Sequence, residues 1–139
     1  MLVIVDANEI FSLLIKGTTK SEAILFSNTI ELIAPEFLLD EFSKNKEEIL
    51  TKSHRSRDEF FRLLSIFERR IELVPKEEFK NFIPRVLELF PEHTKDFPYL
   101  ALALKFNCPL WSEEKLLKRQ SVVKILNTKE LFELLKSKL

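Results

Sequence analysis

Asp6, Glu41, Asp96 and one of the neighbours Glu113 and Glu114 are the residues through which this chain could do chemistry. Asp6 directly follows the apolar run Leu2-Val3-Ile4-Val5, and Glu113 and Glu114 follow Pro109-Leu110-Trp111. Both acidic positions therefore fall at the carboxyl end of a short buried strand. In an open α/β sheet that end faces the crevice where ligands collect. Several carboxylates crowded there raise one another's pKa unless a cation offsets their charge. Oxygen ligands alone suit a hard ion such as Mg²⁺ or Mn²⁺. Such an ion polarises a phosphoryl oxygen and turns bound water into hydroxide, the chemistry of phosphodiester cleavage. The competing reading is structural: Asp6 and Asp96 each precede an expected helix, where Asp is favoured by capping and by the helix dipole.

The elements that must position these acids can be read from apolar spacing. Ala7 to Ile15 reads as a helix, Gly17-Thr18-Thr19 as a break, and Ser21 to Phe26 as a second helix capped by Ser21. Ile30 to Ala34 is a second strand ended by Pro35, which also opens a helix from Glu36 to Leu50. Laid out at about 100° per residue, that helix buries Leu38, Phe42 and Ile49 and exposes Glu36, Asp40, Ser43 and Glu47. Glu41 falls at the edge of the apolar stripe, where an unpaired carboxylate is costly and calls for a partner. Ser53 is expected to open a helix to Arg70, Ile71 to Val74 a third strand, and Lys76 to Phe90 a helix broken at Pro84. Tyr99 to Leu104 is apolar all round, the mark of a buried helix. Pro109 to Trp111 and Val122 to Leu126 complete the strands, and Thr128 caps a last helix that packs Leu131, Leu134 and Leu135 inward. Helices and short strands alternate along residues 1–139 without a linker, which predicts one α/β domain with a parallel sheet and helices on both faces.

Composition closes off several alternatives. The single Gly17 leaves no phosphate-cradling or dinucleotide-binding loop, and no G-x-S-x-G elbow is present. One cysteine and two histidines make a zinc site of the usual ligands a poor fit. A phosphoacceptor receiver would need an Asp after the third strand, where this chain has Val74-Pro75-Lys76. Formal charge is zero, but residues 1–43 carry seven acids against two bases, whereas residues 100–139 carry eight bases against four acids. No signal peptide and no membrane span is expected, which points to a cytoplasmic protein.

Val-Ile-Val-Asp-Ala-Asn (3–8), Ala-Pro-Glu-Phe-Leu-Leu-Asp-Glu-Phe (34–42), Lys-Asp-Phe-Pro-Tyr-Leu-Ala-Leu-Ala-Leu (95–104) and Leu-Trp-Ser-Glu-Glu-Lys-Leu-Leu (110–117) together resemble a PIN domain in order and spacing. The resemblance implies a three-layer, Rossmann-like fold with a central parallel sheet of about five short strands. It implies a Mg²⁺- or Mn²⁺-dependent endoribonuclease in which Asp6, Glu41, Asp96 and Glu114 bind metal and carry catalysis. Asn8 and Ser112 would then be polar groups that hold carboxylates or water. RNA is the implied substrate, with an antitoxin-like protein and a second copy of the chain as further partners. Arg55, Arg57 and Lys115 are candidate phosphate contacts. The chain departs from the family at Glu114, where Asp is usual. The added methylene moves the carboxylate by roughly 1.5 Å, and misplacement by about 1 Å can cost ~100-fold in rate. This motivates the alternative of a catalytically weak or inactive module for RNA binding or assembly, and leaves Glu113 as a substitute for Glu114.

Overall fold

The amino-terminal apolar run forms β1 (Leu2–Val5) in the computed structural model, which describes residues 1–137 apart from the side chain of Thr94. Val3, Ile4 and Val5 are all buried. Because successive strand residues point to opposite faces, both sides of the sheet must be covered. β2 (Glu31–Pro35), β3 (Ile71–Val74), β4 (Leu110–Trp111) and β5 (Ile125–Leu126) complete a five-stranded sheet in the order β3-β2-β1-β4-β5. Every pairing is parallel, with Val3 opposite Leu32 on one side of β1 and Ile4 opposite Leu110 on the other. The expected α/β class is the one observed.

The cover is supplied by α1 (Ala7–Ile15), α2 (Thr19–Phe26), α3 (Phe37–Lys52), α4 (Arg57–Arg70), α5 (Lys76–Phe79), α6 (Ile83–Leu89), α7 (Phe97–Phe106) and α8 (Thr128–Lys136). The all-apolar α7 lies across β1, β2 and β4, while α1 packs on α3 and α4, and α2 packs on α8. Trp111, Phe60, Leu100 and Leu102 are fully enclosed where these layers meet. Among the described residues no helix is long and apolar enough to cross a membrane.

Several boundaries differ from the sequence reading, most of them because a local hydrogen bond outranks the apolar pattern. Thr18, not Ser21, caps α2: its Oγ1 accepts from the Ser21 amide at 3.1 Å, and the Ser21 hydroxyl accepts from the Thr18 amide in return. Ser53 ends α3 rather than opening α4, and its hydroxyl donates to the Leu14 carbonyl. Ser56 caps α4 instead, accepting from the Glu59 amide. The break before α6 is a 3-10 turn at Lys80–Phe82, so Pro84 falls in the first turn of a new helix, where it is tolerated. β5 begins only at Ile125, because the Gln120 side chain bonds the Val122 and Val123 amides and folds that stretch into a turn. Asn127, not Thr128, caps α8 through a reciprocal pair with Glu130. Gly17 closes α1 at φ +73°, the left-handed conformation that glycine adopts without strain.

Candidate active site

The strand order reverses between β1 and β4, and the crevice of a doubly wound sheet opens at such a reversal. Asp6 stands on one side of it and Ser112 to Glu114 on the other. The Asp6 amide donates to the Trp111 carbonyl at 3.1 Å, which ties the two strand ends together. One carboxylate oxygen of Asp6 accepts from the Asn8 amide at 3.3 Å and the other from the Ser112 hydroxyl at 2.8 Å. Asp6 therefore caps α1 and faces the crevice at once, so the two readings of this residue are not exclusive. The Ser112 hydroxyl, fully buried, in turn accepts from the Glu114 amide at 3.1 Å. Asn8 reaches Asp6 through its main chain; its side chain is exposed. Burial raises the Asp6 carboxyl above the usual range, Ser112 and Asn8 pull it back, and the Glu114 charge adds to the rise.

Glu41 and Asp96 complete the acidic edge. Glu41, half-buried on α3, accepts a hydrogen bond of 2.5 Å from the Tyr99 hydroxyl on α7. This is the partner that its position at the edge of an apolar stripe demanded. Burial raises the Glu41 carboxyl, the Tyr99 bond opposes the rise, and the charges of Asp6 and Asp96 add to it. Asp96 occupies the capping position of α7, yet its side chain caps nothing. Among the described residues its carboxylate makes no hydrogen bond or ion pair, so capping does not explain it and only the helix dipole remains of the structural reading. Burial lifts its pKa first, then the Asp6 charge, with His93 opposing and Glu114 adding. Asp6 and Asp96 thus lie in the field of Glu114, and Glu41 lies in the fields of Asp6 and Asp96. Among the described residues, however, no three Asp, Glu, His or Cys side chains stand close enough together to hold a metal ion as they are.

Glu113 and Glu114 part company. Glu113 turns to the start of α8, where it accepts from the Thr128 amide and hydroxyl, each at 3.1 Å. There it meets Glu9 of α1, which burial and the Glu113 carboxyl push up to about 9. Thr128 also accepts from the Trp111 indole at 3.0 Å. Glu114 stays exposed, on the side of Asp6 and Asp96, with one oxygen 3.4 Å from the Leu116 amide. Sequence reasoning missed both Glu9 and Tyr99. The available signals were a carboxylate beside Ile10 on the buried side of α1, and a hydroxyl within an otherwise apolar run.

The three cations singled out from sequence are scattered. Arg55 is not available to a phosphate: its guanidinium donates to the Leu13 and Lys16 carbonyls and lies 3.4 Å from Glu22. These groups belong to the last turn of α1 and the chain beyond it, at the end remote from Asp6. Arg57, two residues on, opens α4 and rests over the Phe61 ring. Lys115 alone of the three adjoins the acidic edge, exposed and next to Glu114.

A doubly wound parallel sheet with carboxylates ranged along its switch point is the layout of a family of small nucleases. A family model described as a PIN domain matches residues 4–135, and the chain belongs to the PIN domain family. Among solved structures, a chain from the crystal structure of VapBC2 from Rickettsia felis bound to a DNA fragment from their promoter shares the fold. The two superpose with a TM-score of 0.64 at 16% identity, over 91% of this chain and 98% of that one. No curated protein matches the chain.

Proposed function

We propose that this PIN domain is a Mg²⁺- or Mn²⁺-dependent endoribonuclease whose site comprises Asp6, Glu41, Asp96 and Glu114. The observation that carries the reading is Asp96, a carboxylate at a helix start that caps nothing and sits in the fields of Asp6 and Glu114. An all-oxygen donor set of this kind fits a hard divalent ion. When bound, the ion supplies Lewis-acid activation of the phosphoryl group and of water. The chain's own residues do the positioning. Ser112 fixes one oxygen of Asp6, Tyr99 fixes one oxygen of Glu41, Asp96 presents a carboxylate with no hydrogen bond or ion pair among the described residues, and Glu114 is exposed with one oxygen on the Leu116 amide. Lys115 lies where it could meet a backbone phosphate.

The VapBC2 structure motivates an antitoxin-like protein as a further partner of this chain, in a cytoplasmic setting, and pairing with a second copy is part of the same reading. Incubation of purified protein with single-stranded RNA and Mn²⁺ tests the catalytic claim: cleavage should appear, cease with EDTA, and be lost in Asp6→Asn and Asp96→Asn. If the wild type with Mn²⁺ leaves RNA as intact as these controls do, the claim fails. The exposed position of Glu114 and the absence of a ready cage favour a second reading, a module that binds RNA or assembles without cleaving it. That reading requires salt-sensitive RNA binding that survives both substitutions, with no cleavage by the wild type.

A further inference from the structure

A cleft of about 300 Å³ opens beside the acidic edge, between the segment Phe90–His93 and the 3-10 turn Lys115–Arg119. Its two walls are the segments that lead directly into Asp96 and out of Glu114. Buried Phe90, exposed Pro91 and Leu116, and exposed Arg119 are among the residues that line it. Both walls are held. On one, the His93 amide donates to the Phe90 carbonyl and the Asp96 amide to the His93 carbonyl, each at 3.0 Å. On the other, the Gln120 amide group bonds the Leu117 and Val123 carbonyls at 2.7 Å and anchors the residue after Arg119. Lys118 is committed to Glu130. Arg119, by contrast, is exposed and makes no hydrogen bond or ion pair among the described residues.

An unpaired guanidinium beside exposed apolar side chains suits a ligand that is anionic at one end and flat and apolar at the other. A nucleotide is such a ligand, and the cleft is at the small end of the ~300–1,000 Å³ range of ligand sites. It can admit one unstacked nucleotide but not a duplex, and unstacked bases are what single-stranded RNA offers. We propose that this cleft seats the nucleotide adjoining the phosphate held at the acids, its base against Leu116 and Pro91 and its own phosphate on Arg119. Glu92 also lines the cleft, and a carboxylate acceptor there favours bases that present amino donors over uracil.

The inference rests on the ribonuclease reading, and the test separates the two. Binding of a fluorescent single-stranded RNA is measured by anisotropy over a salt series without divalent metal, and cleavage is measured with Mn²⁺. Arg119→Gln should weaken binding roughly tenfold, reduce the salt slope by about one phosphate contact, and raise KM while kcat is retained. Leu116→Ala should weaken binding without changing the slope. Arg69→Gln, at the far end of α4, should do neither. All three side chains are exposed, so melting temperatures should match the wild type. Wild-type affinity, slope and KM in Arg119→Gln and Leu116→Ala overturn the subsite and leave the nuclease standing. Loss of binding in these variants, with no cleavage by any protein, supports the subsite and removes the nuclease. A wild type that neither binds nor cleaves RNA removes both.

Discussion

The Tyr99 hydroxyl reaches 58 positions back along the chain to donate to a carboxylate oxygen of Glu41, joining α7 to α3. Tyr99 is buried, and burial together with the Glu41 charge raises its own pKa, so it remains a donor at any pH the protein tolerates. Hydrogen bonds to charged groups contribute about 1.5–3 kcal/mol, and leaving a half-buried carboxylate unpartnered costs a similar amount. Tyr99→Phe keeps the ring and removes the donor. It should lower stability in urea titrations by about 1–3 kcal/mol, and Glu41→Gln in the Tyr99→Phe background should recover part of the loss. A Tyr99→Phe protein as stable as the wild type would show that the bond holds nothing.

Asp96 invites the opposite substitution. Its raised pKa means that folding favours the protonated carboxyl, so its contribution is full below the unfolded value near 3.8 and is lost as pH rises through the higher folded value. At neutral pH the charged form therefore costs stability, and no capping bond offsets that cost. Asp96→Asn should raise the melting temperature of the metal-free protein by a few degrees at pH 7 and by less at pH 4. Mn²⁺ should raise the wild-type melting temperature, through binding to the native state alone, and should have little effect on the variant. Unchanged melting in both comparisons would leave Asp96 a solvent-facing acid.

Particular residues show which parts of this molecule can be read from its sequence. Val3 to Val5 announce a strand buried on both faces because such a strand has no polar side to alternate, and a parallel sheet follows from the helices between strands. Asp6 and Glu114 share an edge because strand ends in a parallel sheet all point one way, and Asp96 joins that edge because it opens the helix that returns the chain to the start of β4. Tyr99 and Glu9 escape because their roles are pairings across the fold that no local period encodes. Arg55 misleads because a cation on a polar segment looks solvated whether or not carbonyls stand opposite it. The caps Thr18, Ser56 and Asn127 lie one to three residues from the expected positions, for any nearby hydroxyl or amide satisfies the same local pattern.

Arg55 yields a prediction of a structural kind. Its guanidinium satisfies carbonyls at the end of α1 that would otherwise lack partners, and it lies against Gly17, where an added Cβ would come within 2.9 Å of it. Arg55→Ala should destabilise the protein by about 1–3 kcal/mol, while RNA affinity per folded molecule stays at the wild-type level. Gly17→Ala should destabilise as well, since it combines a left-handed backbone with that contact. Denaturant titration and anisotropy on the same samples separate the effects; a loss of RNA affinity without a loss of stability in Arg55→Ala would return this residue to the binding surface.

The Glu9 carboxyl, buried beside Glu113 and Thr128, should give the protein a pH dependence near neutrality. Glu9 is held protonated chiefly by burial and then by the neighbouring carboxyl, with a folded pKa of about 9 against 4.5 when unfolded. Where the folded value is the higher one, stability is greatest below the unfolded pKa and declines as pH rises towards the folded pKa. Unfolding free energy should therefore fall between about pH 5 and pH 9, the window between the two values. Glu9→Gln imitates the protonated state and keeps an acceptor for the Thr128 hydroxyl, which lies 3.4 Å from a Glu9 oxygen. It should leave stability near pH 5 almost unchanged, flatten the decline, and make the variant the more stable protein at pH 9. Urea titrations at pH 5, 7 and 9 decide the matter, and parallel slopes for the two proteins would show that Glu9 does not carry the proton.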